Sequence, residues 1–145
     1  MIKNYTSTTN NTFNKIQKIL TTHKAKKMMF DYDDDGKVEA LTFIIDVDSM
    51  SIPFRLPAKV DNVEKIFLSY KKGKGNDWEL TEAEKEQAYR TAWANIRDWL
   101  DAQMALIDTE QVELGEVFLP YAVQKDGRTY FEHAQEDMFL LGDAS

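Results

Sequence analysis

At 145 residues and without a cysteine, the chain has the size of one domain and excludes disulfides, thiolate chemistry and cysteine-ligated zinc. Its 43% hydrophobic content suffices for a packed core, while no apolar run approaches the roughly 20 residues of a membrane span. The net charge of −7 is split by position: residues 1–30 carry six lysines and no acid, so the remainder carries the other 12 Lys+Arg and all 25 Asp+Glu, a net of −13. A basic end on an acidic body can face a polyanion, or the acidic surface of another copy or another protein.

Residues 1–11 are polar and Thr/Asn-rich, without the apolar stretch of a signal peptide, and read as a flexible arm ahead of a single domain over 12–145. Thr12 can cap a helix through His23, with Phe13, Ile16, Ile19 and Leu20 at helical spacing and lysines opposite. Met28–Tyr32 reads as a strand and Asp33-Asp34-Asp35-Gly36 as a turn, with Gly36 free to take positive φ. A second strand covers about Lys37–Val47, with Leu41, Phe43, Ile45 and Val47 on one face and Thr42 and Ile44 on the other. Asp48-Ser49 turns the chain into a third strand, Met50–Leu56, which Pro53 assigns to a sheet edge because proline donates no ladder bond.

Pro57 ends that strand, and Val60, Val63, Ile66, Phe67 and Tyr70 mark a second helix. Lys71-Lys72-Gly73-Lys74-Gly75-Asn76 is a loop by composition. Thr81-Glu82-Ala83-Glu84 has the form of a capping box, and no Gly or Pro interrupts the chain from there to about Asp108. Such a helix would be about 42 Å long, more than a small domain is wide. Residues 110–121 fit a short helix or a strand equally. Asp126-Gly127, between Tyr121-Ala122-Val123 and Thr129-Tyr130-Phe131, signals a hairpin. The apolar tail Met138-Phe139-Leu140-Leu141 either docks on the body or meets a partner. The order predicts an α+β fold: a helix, an antiparallel three-stranded meander, a short helix, one long amphipathic helix and a C-terminal hairpin.

Several segments carry a resemblance. Lys26-Lys27-Met28-Met29-Phe30-Asp31-Tyr32, Val38-Glu39-Ala40-Leu41-Thr42-Phe43 and Ile52-Pro53-Phe54-Arg55-Leu56-Pro57-Ala58 are three of them. Ala92-Trp93, Asp98-Trp99-Leu100-Asp101-Ala102-Gln103 and Glu116-Val117-Phe118-Leu119-Pro120-Tyr121 complete the set. Together they resemble a family of small phage and prophage proteins with no assigned activity, over most of residues 5–131. The resemblance implies a setting, phage cargo in the cytoplasm of an infected or lysogenic bacterium, and implies no site residues.

The candidate sites are few. Asp31-Tyr32-Asp33-Asp34-Asp35-Gly36-Lys37-Val38 matches the first eight positions of an EF-hand loop, but Thr42 stands where the bidentate Glu belongs and the flanks read as strands. An acidic hairpin turn explains the same residues, and no metal is expected. Lys71, Lys72 and Lys74 lie in a basic Gly-rich loop without P-loop spacing. The helix-strand-strand-strand-helix order over 12–70 is that of a double-stranded-RNA-binding domain, although the second helix starts with only one lysine, Lys59, beside Asp61. Trp93 and Trp99, six apart, can direct at most one ring to the core centre. Arg90 and Arg97 share a helix face and have i, i+4 acids in Glu86 and Asp101. Arg55 alternates opposite Phe54 and Leu56, and an arginine in a half-buried strand usually has a specific partner. Neither His23 nor His133 has a carboxylate or histidine at metal spacing, and no catalytic triad can be assembled from them.

With no catalytic signature and no cofactor motif, the expected role is non-enzymatic: stoichiometric binding to a host protein, plausibly in counter-defence. Residues 77–116 carry 11 acids against Lys85, Arg90 and Arg97, a face able to occupy a basic groove. One alternative is a nucleic-acid-binding accessory of phage DNA metabolism using Lys24, Lys26, Lys27 and the 71–74 loop. Another is a binder that sequesters a nucleotide signal with Arg55, Arg90 and Arg97. A homo-oligomer, with a dimer favoured, is expected under each reading.

Overall fold

The computed structural model describes residues 5–71 and 79–144. In chain order these form α1 (Tyr5–Thr22), β1 (Lys27–Tyr32), β2 (Val38–Val47), β3 (Met50–Pro57), α2 (Val60–Lys71), α3 (Glu82–Asp108), α4 (Leu114–Phe118), a 3-10 turn (Leu119–Tyr121) and α5 (Tyr130–Ala144). The fold is α+β with one antiparallel sheet of order β1-β2-β3. Two compact units divide the chain: Met1–Ile19 with Ala58–Ala102, and Leu20–Pro57 with Gln103–Ser145. The division falls inside both α1 and α3, so the length of α3 serves two units of the same chain.

In the first unit, α1 begins at Tyr5, seven residues before the expected cap at Thr12, so residues 5–11 are helix and not arm. Thr9 and Thr12 are buried in line with Ile16, at i, i+3 and i+7. Burial of that stripe outweighs the weak intrinsic helix preference of a Thr/Asn-rich segment. Phe13 meets the fully buried Trp93 edge-on, with ring centroids 5.1 Å apart. Ala88, Tyr89, Ala92 and Leu100 continue the buried stripe of α3, while Trp99 is half-buried. The box at the start of α3 is closed in both directions: Thr81 N–H donates to Glu84 Oε1 at 2.8 Å and Glu84 N–H to Thr81 Oγ1 at 3.2 Å. In contrast, α2 buries none of its residues.

The second unit is built on the sheet. Leu41, Phe43 and Ile45 of β2 and Phe54 and Leu56 of β3 form its buried face, with Phe43 directly opposite Phe54. Phe118, at the end of α4, closes an aromatic triangle with ring centroids 5.6 Å from Phe43 and 5.7 Å from Phe54. Within 110–121 the chain is helical from Leu114 to Tyr121 and not strand, and a Glu113–Glu116 capping box starts α4.

Two turns set the sheet's register. Asp48 and Ser49 both take positive φ (52° and 69°) between the paired Val47 and Met50, the type I′ geometry that matches strand twist. Between β1 and β2, Gly36 N–H donates to the Asp33 carbonyl and Asp33 N–H to the Lys37 carbonyl, with Gly36 at φ 82°: a turn closed by a glycine bulge. Pro53 lies in an edge strand, as expected, and its carbonyl accepts the Val123 N–H at 2.9 Å.

The expected C-terminal hairpin is reduced to a turn. Gln124 and Arg128 repeat the Asp33–Lys37 bonding pattern, with Gly127 at φ 86°, and Val123 pairs with Thr129 in one isolated bridge. Helix α5 then replaces the second strand. The cause is a capping box at Thr129-Tyr130-Phe131-Glu132: Thr129 N–H donates to Glu132 Oε1 (2.9 Å) and Glu132 N–H to Thr129 Oγ1 (3.2 Å). Of the four apolar tail side chains, only that of Met138 is described, and it is exposed.

Helices α1 and α3 end alike. Ala25 N–H returns to the Leu20 carbonyl and Lys24 N–H to that of Thr21; Gln111 and Glu110 do the same to Leu106 and Ile107. These are Schellman closures, with Lys24 (φ 71°) and Glu110 (φ 61°) in the left-handed position usually held by glycine.

Candidate functional site

Arg55 does have a specific partner. On the sheet face opposite the aromatic triangle, Arg55 pairs in register with Thr42, Thr42 with Met29, and Ala40 with Asp31. Strands lie about 4.8 Å apart, so β3 and β1 are separated by roughly 10 Å, a gap that an arginine and an aspartate can bridge together. Arg55 Nε donates to Asp31 Oδ2 at 3.2 Å, diagonally over β2, with both side chains about one-third exposed (32% and 33%). The fully buried Ala40 presents only a methyl group beneath that crossing.

The start of α5 adds further charges to this unit. Arg128 Nη2 donates to Glu136 Oε1 (2.8 Å) and to the Glu132 carbonyl (3.1 Å). The Glu136 carboxylate raises the Arg128 pKa above its ordinary value. The Glu132 carboxyl is held below its ordinary value, first by the Thr129 N–H and hydroxyl, with the charges of Arg128 and Arg55 adding. Arg55 thus feels two carboxylates, Asp31 and Glu132, and its charge is answered within the chain. Such an arginine is poorly disposed to receive a phosphate.

Three of the other candidate cations, Lys26, Lys71 and Arg97, are likewise paired with acids. Lys26 Nζ lies 2.6 Å from Asp46 Oδ2, and Ser51 donates to the other Asp46 oxygen; both bonds, that of Lys26 first, lower the Asp46 pKa. Lys71 Nζ donates to Glu84 Oε1 (2.8 Å) and to the Glu79 carbonyl, and with the Thr81 N–H it lowers the Glu84 pKa to about 2. Arg97 donates to Asp98 at 2.9 Å, which lowers the Asp98 pKa, and reaches Thr12 at 3.4 Å. The expected Arg97–Asp101 pair is therefore replaced by an adjacent one. Arg90 donates to Gln87 Oε1 at 2.8 Å, one turn away, where Glu86 was expected. Lys24 sits at the left-handed end of α1 and Lys27 opens β1, both exposed. Lys72 and Lys74 lie outside the described residues. Arg55 belongs to one unit and Arg90 and Arg97 to the other, so no unit gathers all three.

The acidic turn uses its first carboxylate, that of Asp33, locally. Asp33 Oδ1 accepts the N–H groups of Asp35 and Lys37, both at 2.9 Å, which fixes the turn. Among the described residues no three His, Cys, Asp or Glu groups are placed to hold a metal ion.

Sequence reading missed both histidine partners. His23 Nε2 lies 2.9 Å from Asp108 Oδ2, where the ends of α1 and α3 meet. His133 Nε2 lies 3.0 Å from Asp126 Oδ2, across the turn before α5; the Arg128 N–H and then His133 lower the Asp126 pKa. The first pair is 85 residues apart and left no local signal. The second, seven residues apart, needed the turn and the cap together.

Large apolar side chains are also exposed in the sheet unit: Met29 (59%) on β1, Tyr32 (61%) at its end, Met50 on β3, and Tyr130, Phe131 and Met138 on α5. Aromatic and methionine side chains on a surface are the usual material of protein interfaces. No helix among the described residues is long and apolar enough to cross a membrane. Compared with known proteins, the chain matches no family model, no curated protein and no solved structure.

Proposed function

We propose that this chain is a non-catalytic binding protein that acts stoichiometrically on another protein. The observation that carries the reading is internal pairing among the cations singled out for ligand binding: four of the nine, Lys26, Arg55, Lys71 and Arg97, each contact an aspartate or glutamate of their own unit. A protein evolved to hold a polyanion keeps such groups available for phosphates. Here the exposed surface instead offers acids and large apolar side chains, among them Tyr32 beside Asp34 and Asp35. That combination suits a basic partner with an apolar anchor point.

The resemblance to phage and prophage proteins supplies the setting. The partner in this proposal is a host defence component whose nucleic-acid groove the acidic surface occupies. The αβββα order gives little support to an RNA-binding reading, because topology alone is shared by many unrelated functions.

The test is capture from bacterial lysate on the immobilised protein, followed by elution with duplex DNA. The expected result is one nucleic-acid-binding protein retained in stoichiometric amount and displaced by the DNA. Retention of nothing stoichiometric, or of nucleic acid itself, would overturn the proposal.

A further inference from the structure

The outer edge of β1 pairs with no strand among the described residues, whereas that of β3 is partly occupied by Ala122 and Val123. An open strand edge is a template for another strand. Its side chains indicate which one. Lys27, Met29 and Asp31 alternate onto one face of β1, opposite Ile44, Thr42 and Ala40. Lys27 and Met29 are exposed, and Asp31, although its Oδ2 is paired with Arg55, keeps about a third of its side-chain surface in water.

We infer that β1 is the contact of a symmetric dimer, in which two copies pair antiparallel edge to edge about a two-fold axis at Met29. In an antiparallel pair centred there, residue 27 stands opposite residue 31 of the second copy, and Met29 opposite its own counterpart. The row Lys-Met-Asp meets Asp-Met-Lys. Directly opposed side chains have Cβ atoms about 5 Å apart, where opposite charges attract and like charges repel. Shifting the register by one residue moves both lysines off the aspartates, so the charge pattern disfavours that slip.

The flanks agree with this alignment. Lys24 and Lys26 precede the strand, while Asp33, Asp34 and Asp35 follow it, so each copy's basic end lies along the other's acidic end. The division of charge seen along the sequence thereby becomes a self-complementary edge. The two three-stranded sheets become one sheet of six strands. Six residues a side is far below the roughly 20–30 of a standard interface, so the dimer is a reversible one.

Sedimentation velocity over a wide concentration range tests this on the full chain. A monomer–dimer equilibrium is expected, weakened at least about tenfold by Lys27→Asp, which sets acid against acid in both symmetric pairs. The second test exploits the absence of native cysteine. Met29→Cys should form a disulfide-linked dimer on mild oxidation, while Met50→Cys, exposed to a similar degree at 65%, should not. A strict monomer would mean that Lys27 guards the edge against pairing, and would overturn the inference. So would a dimer that ignores Lys27→Asp and does not cross-link through position 29.

Discussion

Phe118 is the residue whose removal most directly probes how the sheet unit is held together. It is fully buried, and its ring contacts both members of the Phe43–Phe54 cross-strand pair at centroid distances of 5.6 and 5.7 Å. Truncation to alanine removes the transfer energy of the ring and leaves a cavity, which for Phe→Ala costs about 3–5 kcal/mol. The two aromatic contacts are worth about 0.5–1.5 kcal/mol each within that sum, so the upper half of the range is expected. Stability of domains is about 5–15 kcal/mol, so this is a large share of the whole. Phe118→Leu keeps most of the volume and should cost about 1–2 kcal/mol. Urea unfolding followed by far-UV circular dichroism gives both values from the midpoint shift. A loss below about 1.5 kcal/mol for alanine, or leucine as damaging as alanine, would show that Phe118 is not an anchor of the core.

Five non-glycine residues among those described hold a positive φ, Lys24, Ser49 and Glu110 among them. Ser49→Gly, Lys24→Gly and Glu110→Gly should each stabilise by about 0.5–1 kcal/mol, read as a rise in melting temperature, because each relieves a left-handed Cβ clash. The low pKa of Glu84 predicts an acid-sensitive contribution. Its folded value of about 2 lies below the ordinary 4.5, so the stabilisation is complete above about pH 4.5 and is lost as pH falls toward 2. Glu84→Gln should flatten the wild-type's decline in unfolding midpoint across that window, and an unchanged slope would remove Glu84 as a contributor. Thr129→Ala should loosen the start of α5 by about 1 kcal/mol, seen as faster amide exchange in Phe131–Ala134 than in β2.

Local chemistry was readable where it acts over a few residues. The turns at Asp33–Gly36 and Asp48-Ser49 and the box at Thr81-Glu84 bounded the meander and α3, because backbone geometry there depends on immediate neighbours. The first turns of α1 were not readable, since burial of Thr9 and Thr12 is a tertiary fact that composition conceals. At the C-terminus two local signals competed. The Asp126-Gly127 turn forms as its sequence predicts, but Thr129-Tyr130-Phe131-Glu132 satisfies both a strand pattern and a capping box, and the box prevails. Arg55 could be singled out from its alternation, yet its partner Asp31 lies across two strands and follows only from the register. Likewise Lys71 looked like part of a phosphate-binding loop until α2 and α3 set it against Glu84.

The most direct measurement of the central claim is fluorescence anisotropy of a labelled duplex of about 20 base pairs, titrated with the protein at about 50 mM salt, where electrostatic binding is strongest. No saturable binding is expected, because Lys26, Arg55, Lys71 and Arg97 are already held by acids in a chain of net charge −7. Micromolar binding that weakens steeply as salt rises would contradict it and return the basic residues to a nucleic-acid role.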